Sequence, residues 1–238
     1  LGTTGNPQRK EGLSIWVFNV SEHMGHQTAF VSLNGETRII PQTGLLNITT
    51  ELGERMVLAD EIALIPRGMR YHAKLVDGVI CQGCIYELYE IHFHLPERGI
   101  VGTSGLVRPR DSQSPIKTIT NNSGWTIISR LGYKSYSCKQ DHTPFDVAGW
   151  HGTSYPCKYN LARFHHTGSV ACDHLDPIVF TVLSAPVFGK EPDTAVVNFM
   201  VVGKHYDVAI DTLRLPCYHR NDKLEAMHRG NTSLTYTN

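Results

Sequence analysis

Between Leu215 and Gly230 the chain reads LPCYHRNDKLEAMHRG, which brings His219, Glu225 and His228 into one short stretch. Imidazole nitrogen and carboxylate oxygen are two of the ligand types of a two-His, one-carboxylate iron face, which leaves positions open for oxygen and a substrate. His219 and Glu225 are six residues apart, a step that no single helical face accommodates. They converge if His219 ends a strand, Asn221 and Asp222 turn the chain, and Glu225 opens the next element. The apolar run from Val208 to Leu215 fits such a strand. A purely local reading competes with this one. Asn221 or Asp222 caps a short helix starting at Lys223, and Glu225, three residues after Asp222, has the spacing of a capping box. On that helix His228 would share a face with Glu225.

Other residues offer chemistry of their own. His72 stands alone in a strand-like run, where a histidine is packed or solvated more often than it is a ligand. His92 and His94 would face one side of a strand, as paired metal-binding histidines do, yet Pro96 follows at once and no well-spaced third ligand appears downstream. In GWHGTSYPCKYNL, His151 lies between glycines and could act as a general acid or base, since imidazole titrates near neutrality. Tyr155, Lys158 and Tyr159 would line the wall of such a site. The plainer alternative is a loop histidine bonded to a backbone carbonyl. His174 and Asp176 form an H-x-D pair upstream of His219, an arrangement that imitates the iron face of 2-oxoglutarate-dependent oxygenases. Asp176 followed by Pro177 also reads as a helix cap with proline at the first helical position.

The elements that must hold these residues are short. Runs rich in β-branched and aromatic residues at Leu13–Val20, Thr28–Leu33, Thr37–Ile40, Leu45–Thr50, Arg55–Leu58, Glu61–Ile65, Arg70–Val76 and Val79–Tyr89 are separated by turn chemistry. Asn34-Gly35 is a two-residue hairpin signal, and Leu52-Gly53 and Asp77-Gly78 mark further turns. A Gly-, Pro-, Ser- and Arg-rich excursion runs from Glu97 to Gly124. Strand signals resume at Trp125–Leu131 and Tyr133–Lys139. Strands recurring about every ten residues with little helical periodicity predict an all-β chain with minor helix, arranged as a sandwich, barrel or jelly roll. A boundary near residue 110 divides it into two β-sandwich halves, 1–110 and 111–238, the second carrying the predicted iron site.

Composition narrows the partners. Lys plus Arg equal Asp plus Glu at 22 each, so no global field attracts nucleic acid or an anionic membrane. The longest apolar runs, such as Val196–Val202, are too short to span a bilayer as a helix. Six cysteines form one C-x-x-C pair, Cys81 and Cys84, and four singles, a pattern without structural-zinc spacing or a disulfide framework. A reducing, cytoplasmic setting is expected. The polar LGTTGNPQRKEG opening lacks a Met, and GNTSLTYTN closes the chain without an apolar pattern, so a fragment or processed product is expected.

The acidic turn, strand, Pro-x-Gly corner and second strand of ADEIALIPRGMRYH resemble the hairpin of cupin-type jelly rolls. IPRGMRY (65–71), the PRD within 108–111, KQDHTPFDVAGWHG (139–152), YPCKYNL (155–161), DHLDPIVFTVLSA (173–185) and YHRNDKLE (218–225) together resemble the homogentisate 1,2-dioxygenase family, in order and over nearly the whole chain. The resemblance implies an Fe(II) enzyme that converts homogentisate and O2 to maleylacetoacetate in tyrosine and phenylalanine breakdown. It implies that His219 and Glu225 bind the metal and that His151 contacts the ring hydroxyl and moves its proton. Arg214 and Tyr218 are weak candidates for binding the substrate carboxylate. Family members associate as trimers that pair into hexamers. His174, Asp176, His92 and His94 are not metal ligands in this comparison.

The chain departs from the pattern after Gly230, where nothing matches the family's third ligand, a His in a Pro-His-Gly segment. Cys217 replaces one of two adjacent tyrosines, and Gly203-Lys204-His205-Tyr206 stands where the family has Pro-Pro-Arg-Trp. Truncation, His228 as a substitute ligand, or a diverged relative without activity each account for this; truncation is the expectation. The alternative functions are a gentisate-type or 2-oxoglutarate-dependent oxygenase and a metal-free cupin-like binding protein.

Overall fold

The computed structural model describes residues 2–76, 78–95, 112–116, 124–145, 157–160, 179–187, 189, 195–202, 224–228 and 232–236. Among them every regular element is a strand: β1 (Gly2–Asn6), β2 (Glu11–Val20), β3 (Thr28–Ser32), β4 (Glu36–Thr43), β5 (Leu45–Thr50), β6 (Gly53–Leu58), β7 (Glu61–Ile65), β8 (Tyr71–Leu75), β9 (Cys81–Leu88), β10 (Trp125–Leu131), β11 (Lys134–Gln140), β12 (Cys157–Asn160), β13 (Val179–Pro186), β14 (Ala195–Val202), β15 (Leu224–His228) and β16 (Thr232–Tyr236). The expected strands from Leu13 to Tyr89 and from Trp125 to Lys139 are all present. Two segments read as polar ends, at the start and close of the chain, form β1 and β16 instead, because cross-strand pairing with β2 and with β14 and β15 supplies what their composition lacks.

By internal contacts the chain forms two units, residues 1–92 with 112–160, and residues 93–111 with 161–238. The division expected near residue 110 is therefore displaced. Strand β10 pairs in parallel with β3, and β12 pairs with β7, so strands after that point complete sheets begun before it. Pairing between distant strands leaves no local trace in composition.

The first unit holds two six-stranded sheets, ordered β1-β2-β9-β4-β7-β12 and β11-β10-β3-β8-β5-β6. From β2 to β5 and again from β6 to β10 the chain changes sheet at each connection, while β5–β6 and β10–β11 are hairpins within one sheet. Ile39, Ala63, Ile65 and Cys81 of the first sheet meet Leu46, Ile48, Val57, Tyr71 and Leu75 of the second in one core. The hairpin predicted at Asn34-Gly35 is not formed, since β3 and β4 lie in different sheets. The turn is a crossing: Asn34 Nδ2 donates to Gly132 O at 3.0 Å and Asn34 Oδ1 accepts from Gly132 N–H at 2.6 Å, anchoring it to the β10–β11 turn. A Cβ on Gly35 would stand 1.9 Å from Leu88 O, so only glycine fits there.

A buried cluster ties the two sheets together. Glu87 on β9 is fully buried and accepts from Arg130 Nη2 on β10 at 2.6 Å and from the Ser32 hydroxyl on β3. The Arg130 guanidinium also lies over Trp16 at 4.4 Å from the ring centre.

Among the described residues, the second unit contains one antiparallel sheet, β13-β14-β16-β15. Within it His94 and Ser184 exchange backbone hydrogen bonds of 2.7 and 2.9 Å.

Candidate functional site

Of the residues predicted to do chemistry, His151, Arg214, Tyr218 and His219 lie outside the described residues, as do His174 and Asp176. Glu225 is the second residue of β15, opposite Thr235 on β16. The short capped helix from Lys223 is not formed over 224–228, because this segment pairs along its length with β16. Glu225 lies near the start of β15, while the His219 strand end and the Asn221-Asp222 turn of the strand-turn-strand reading lie outside the described residues. His228 ends the same strand. This strand stands in place of the helix on which His228 and Glu225 would have shared a face.

The decoy histidines have other occupations. Strand β9 ends at Leu88, so His92 and His94 do not form the predicted pair along one strand. The ring of His92 reaches back to Glu36, with Nδ1 2.9 Å from Oε2, whereas His94 bridges to Ser184. His72 is packed on β8, and its Nδ1–H donates to Thr28 O at 2.6 Å. Burial holds its pKa below the usual imidazole value, with Lys74, His23 and His26 adding to the depression and the Thr28 bond opposing it. No group of three His, Cys, Asp or Glu among the described residues could hold a metal ion.

Lys158, expected in a site wall, has a structural task instead. It lies buried on β12, with Nζ 2.7 and 2.9 Å from the two carboxylate oxygens of Glu61 and 2.9 Å from Met56 O. The cysteines Cys81, Cys84, Cys138 and Cys157 are free thiols. Burial pushes Cys81 and Cys84 up to about 11 and Cys157 to about 12, so at neutral pH these three are inert thiols rather than nucleophiles.

In the first unit, two packed sheets with a chain that keeps crossing between them define the class: an all-β sandwich of the jelly-roll kind. Family comparison goes further. The family model for the homogentisate 1,2-dioxygenase N-terminal region matches residues 1–161, and that for the C-terminal region matches residues 162–232. The chain belongs to the homogentisate 1,2-dioxygenase family. It is 42% identical over 227 residues to the homogentisate 1,2-dioxygenase of Emericella nidulans and 38% identical over 226 residues to that of Homo sapiens, in each case over 94% of this chain and 50% of the relative. It thus spans about half the length of the curated relatives it matches. Among solved structures, a cupin-2 domain containing protein from Shewanella frigidimarina matches 32% of this chain and 71% of its own, at 17% identity and a TM-score of 0.29, too low a score to bear on the argument.

Proposed function

We propose that this chain is part of an iron(II)-dependent ring-cleaving dioxygenase that converts homogentisate and O2 to maleylacetoacetate in tyrosine and phenylalanine breakdown. The observation that carries the reading is family membership along nearly the whole chain; the resemblance of YHRNDKLE (218–225) to the family supports taking His219 and Glu225 as metal ligands. An imidazole and a carboxylate suit ferrous iron as donors, and they are the residues assigned to hold it. When bound, the metal would supply Lewis-acid and dioxygen-activating chemistry for the dihydroxylated ring. The chain's own residues bind and move protons. His151 accepts the phenolic proton as the ring is engaged, and Tyr218 and Arg214 hold the substrate carboxylate. The assembly is a homo-oligomer, a trimer or paired trimers, in the cytoplasm.

The test is iron content and oxygen uptake on homogentisate for a full-length protein carrying this sequence. Uptake with formation of maleylacetoacetate is expected; neither, after reconstitution with ferrous iron, refutes the enzyme reading. His219→Ala and Glu225→Ala should each lose iron, and normal retention by either rejects that ligand. His151→Ala should keep iron and lose turnover. If His174→Ala does so in its place, the proton transfer belongs to the H-x-D segment.

A further inference from the structure

The β2–β3 connection, residues 21–27, is fastened to the second sheet through an acceptor that can be titrated. Strands β3 and β8 pair only at Phe30 and Tyr71, while β8 runs on to Leu75. Past Tyr71 the connection takes the place of β3. Met24 N–H donates to Ala73 O at 3.1 Å, as a neighbouring strand would, and Leu75 N–H donates to His23 Nδ1 at 3.1 Å. A side-chain nitrogen thus stands where a sheet ladder has a backbone carbonyl. The far end is held to β10 by Thr126 N–H donating to Gln27 O at 2.8 Å, with Gln27 bent into a left-handed backbone, φ 48°. The connection walls one side of a cavity of about 400 Å³.

A carbonyl accepts at every pH, whereas an imidazole nitrogen accepts only while it carries no proton. His23 accepts at Nδ1, so its neutral ring has the hydrogen on Nε2. A second proton, at Nδ1, sets N–H against N–H, and the amide of the buried Leu75 is left without its acceptor. His23 itself is exposed, so protons reach it from solvent.

The surroundings oppose the added charge. His26 lies on the same connection, and His72 and Lys74 line the cavity from β8. Thr49 on β5, Trp125 on β10 and Phe145 after β11 complete the facing walls and do not titrate in this range; no Asp or Glu is among the described lining residues. The acid of the connection, Glu22, is exposed beside His23 in the chain. Charge on Lys74, His23 and His26 adds to burial in lowering the pKa of His72, which is the repulsion expected as such a cluster gains protons. His72 is not the switch, because its Nδ1–H donates to Thr28 O and keeps that bond when the ring is protonated.

We propose that the contact of His23 with Leu75 is a pH-sensitive latch: proton uptake at His23 Nδ1 releases the β2–β3 connection from β8 and opens the cavity behind it. The latch is closed in alkaline solution and released in mild acid. None of these residues belongs to the segments assigned to ring cleavage, and the inference does not rest on that assignment.

Amide hydrogen exchange of the 238-residue chain, followed by NMR at pH 8 and pH 5.5 and expressed as protection over the intrinsic rate at each pH, tests it. The Leu75 and Met24 amides and the Trp125 indole N–H should lose protection at least tenfold on going to pH 5.5, while the amides of β4 and β9 hold theirs within about twofold. His23→Asn, whose side-chain carbonyl accepts at both pH values, should keep Leu75 protected throughout, and His23→Ala should show the low protection already at pH 8. His72→Gln should still release at pH 5.5. Protection of Leu75 unchanged with pH in the parent, the parent's loss repeated in His23→Asn, or full protection of Leu75 in His23→Ala at pH 8 overturns the latch. So does a loss shared equally by β4 and β9, which is general loosening, or one abolished by His72→Gln, which assigns the proton to that ring. A Trp125 indole that stays protected while Leu75 is released overturns the opening of the cavity.

Discussion

At the scale of single residues, buried charge decides more than the chemistry that first draws attention. Lys158 looked like part of a reactive loop, but its ammonium is held by Glu61 in the interior. Removing one member of a buried pair strands the other charge. Lys158→Met is therefore expected to cost about 3–5 kcal/mol in urea unfolding, and Lys158→Met combined with Glu61→Leu should recover much of the loss. His72 makes a prediction about pH. Its folded pKa lies below the usual value, so the unfolded chain takes up the proton first. The stabilisation is present above the unfolded pKa of about 6.5 and is lost as pH falls through the folded value. The thermal midpoint should drop between pH 7.5 and 5.5, with a contribution from His72 of at most about 1.4 kcal/mol per pH unit, and His72→Gln should flatten that dependence. An unchanged slope in the variant assigns the effect to other groups.

At the scale of elements, two glycines separate backbone geometry from packing. Gly68, in the Pro66-Arg67-Gly68 corner between β7 and β8, has φ 85° and nothing within reach of an added Cβ. Gly68→Ala should cost only the backbone penalty, about 1–2 kcal/mol. On β9, between β2 and β4, a Cβ on Gly83 would lie 2.2 Å from Ile40 O and 2.8 Å from Phe18. Forcing these strands apart should make Gly83→Ala the costlier change, by roughly 2–3 kcal/mol or more. Urea midpoints of the two variants check the order, and a reversal would show that β9 accommodates a side chain by shifting. At the other end of the chain, β15 shows an element overriding a local signal. Asp222 and Glu225 have capping-box spacing, yet the pairing of β15 with β16 makes residues 224–228 a strand, since tertiary pairing outweighs a cap worth about 1 kcal/mol.

For the whole molecule, metal binding and stability are linked. A ferrous ion that binds the folded protein and not the unfolded chain stabilises it by about 2.7 kcal/mol at a hundredfold excess over its dissociation constant. Full-length protein should melt higher with ferrous iron, lose the gain on chelation, and show no gain when Glu225→Ala is introduced; a gain retained in that variant would place the metal elsewhere. What the amino-acid order determined by itself is local or linear: strand positions from Leu13 to Tyr89, the turn at Leu52-Gly53, and the succession of motifs that carries the family. Alternation, β-branching and turn residues act over a few positions, so they are written in any short window. Tertiary structure alone decided that Asn34-Gly35 crosses between sheets, that β10 and β12 join sheets begun before residue 110, that Lys158 meets Glu61 across 97 positions, and that three histidines and a tryptophan surround one cavity. Those outcomes depend on which distant surfaces bury each other, and pairing energies between remote segments have no signature in the neighbourhood of either partner.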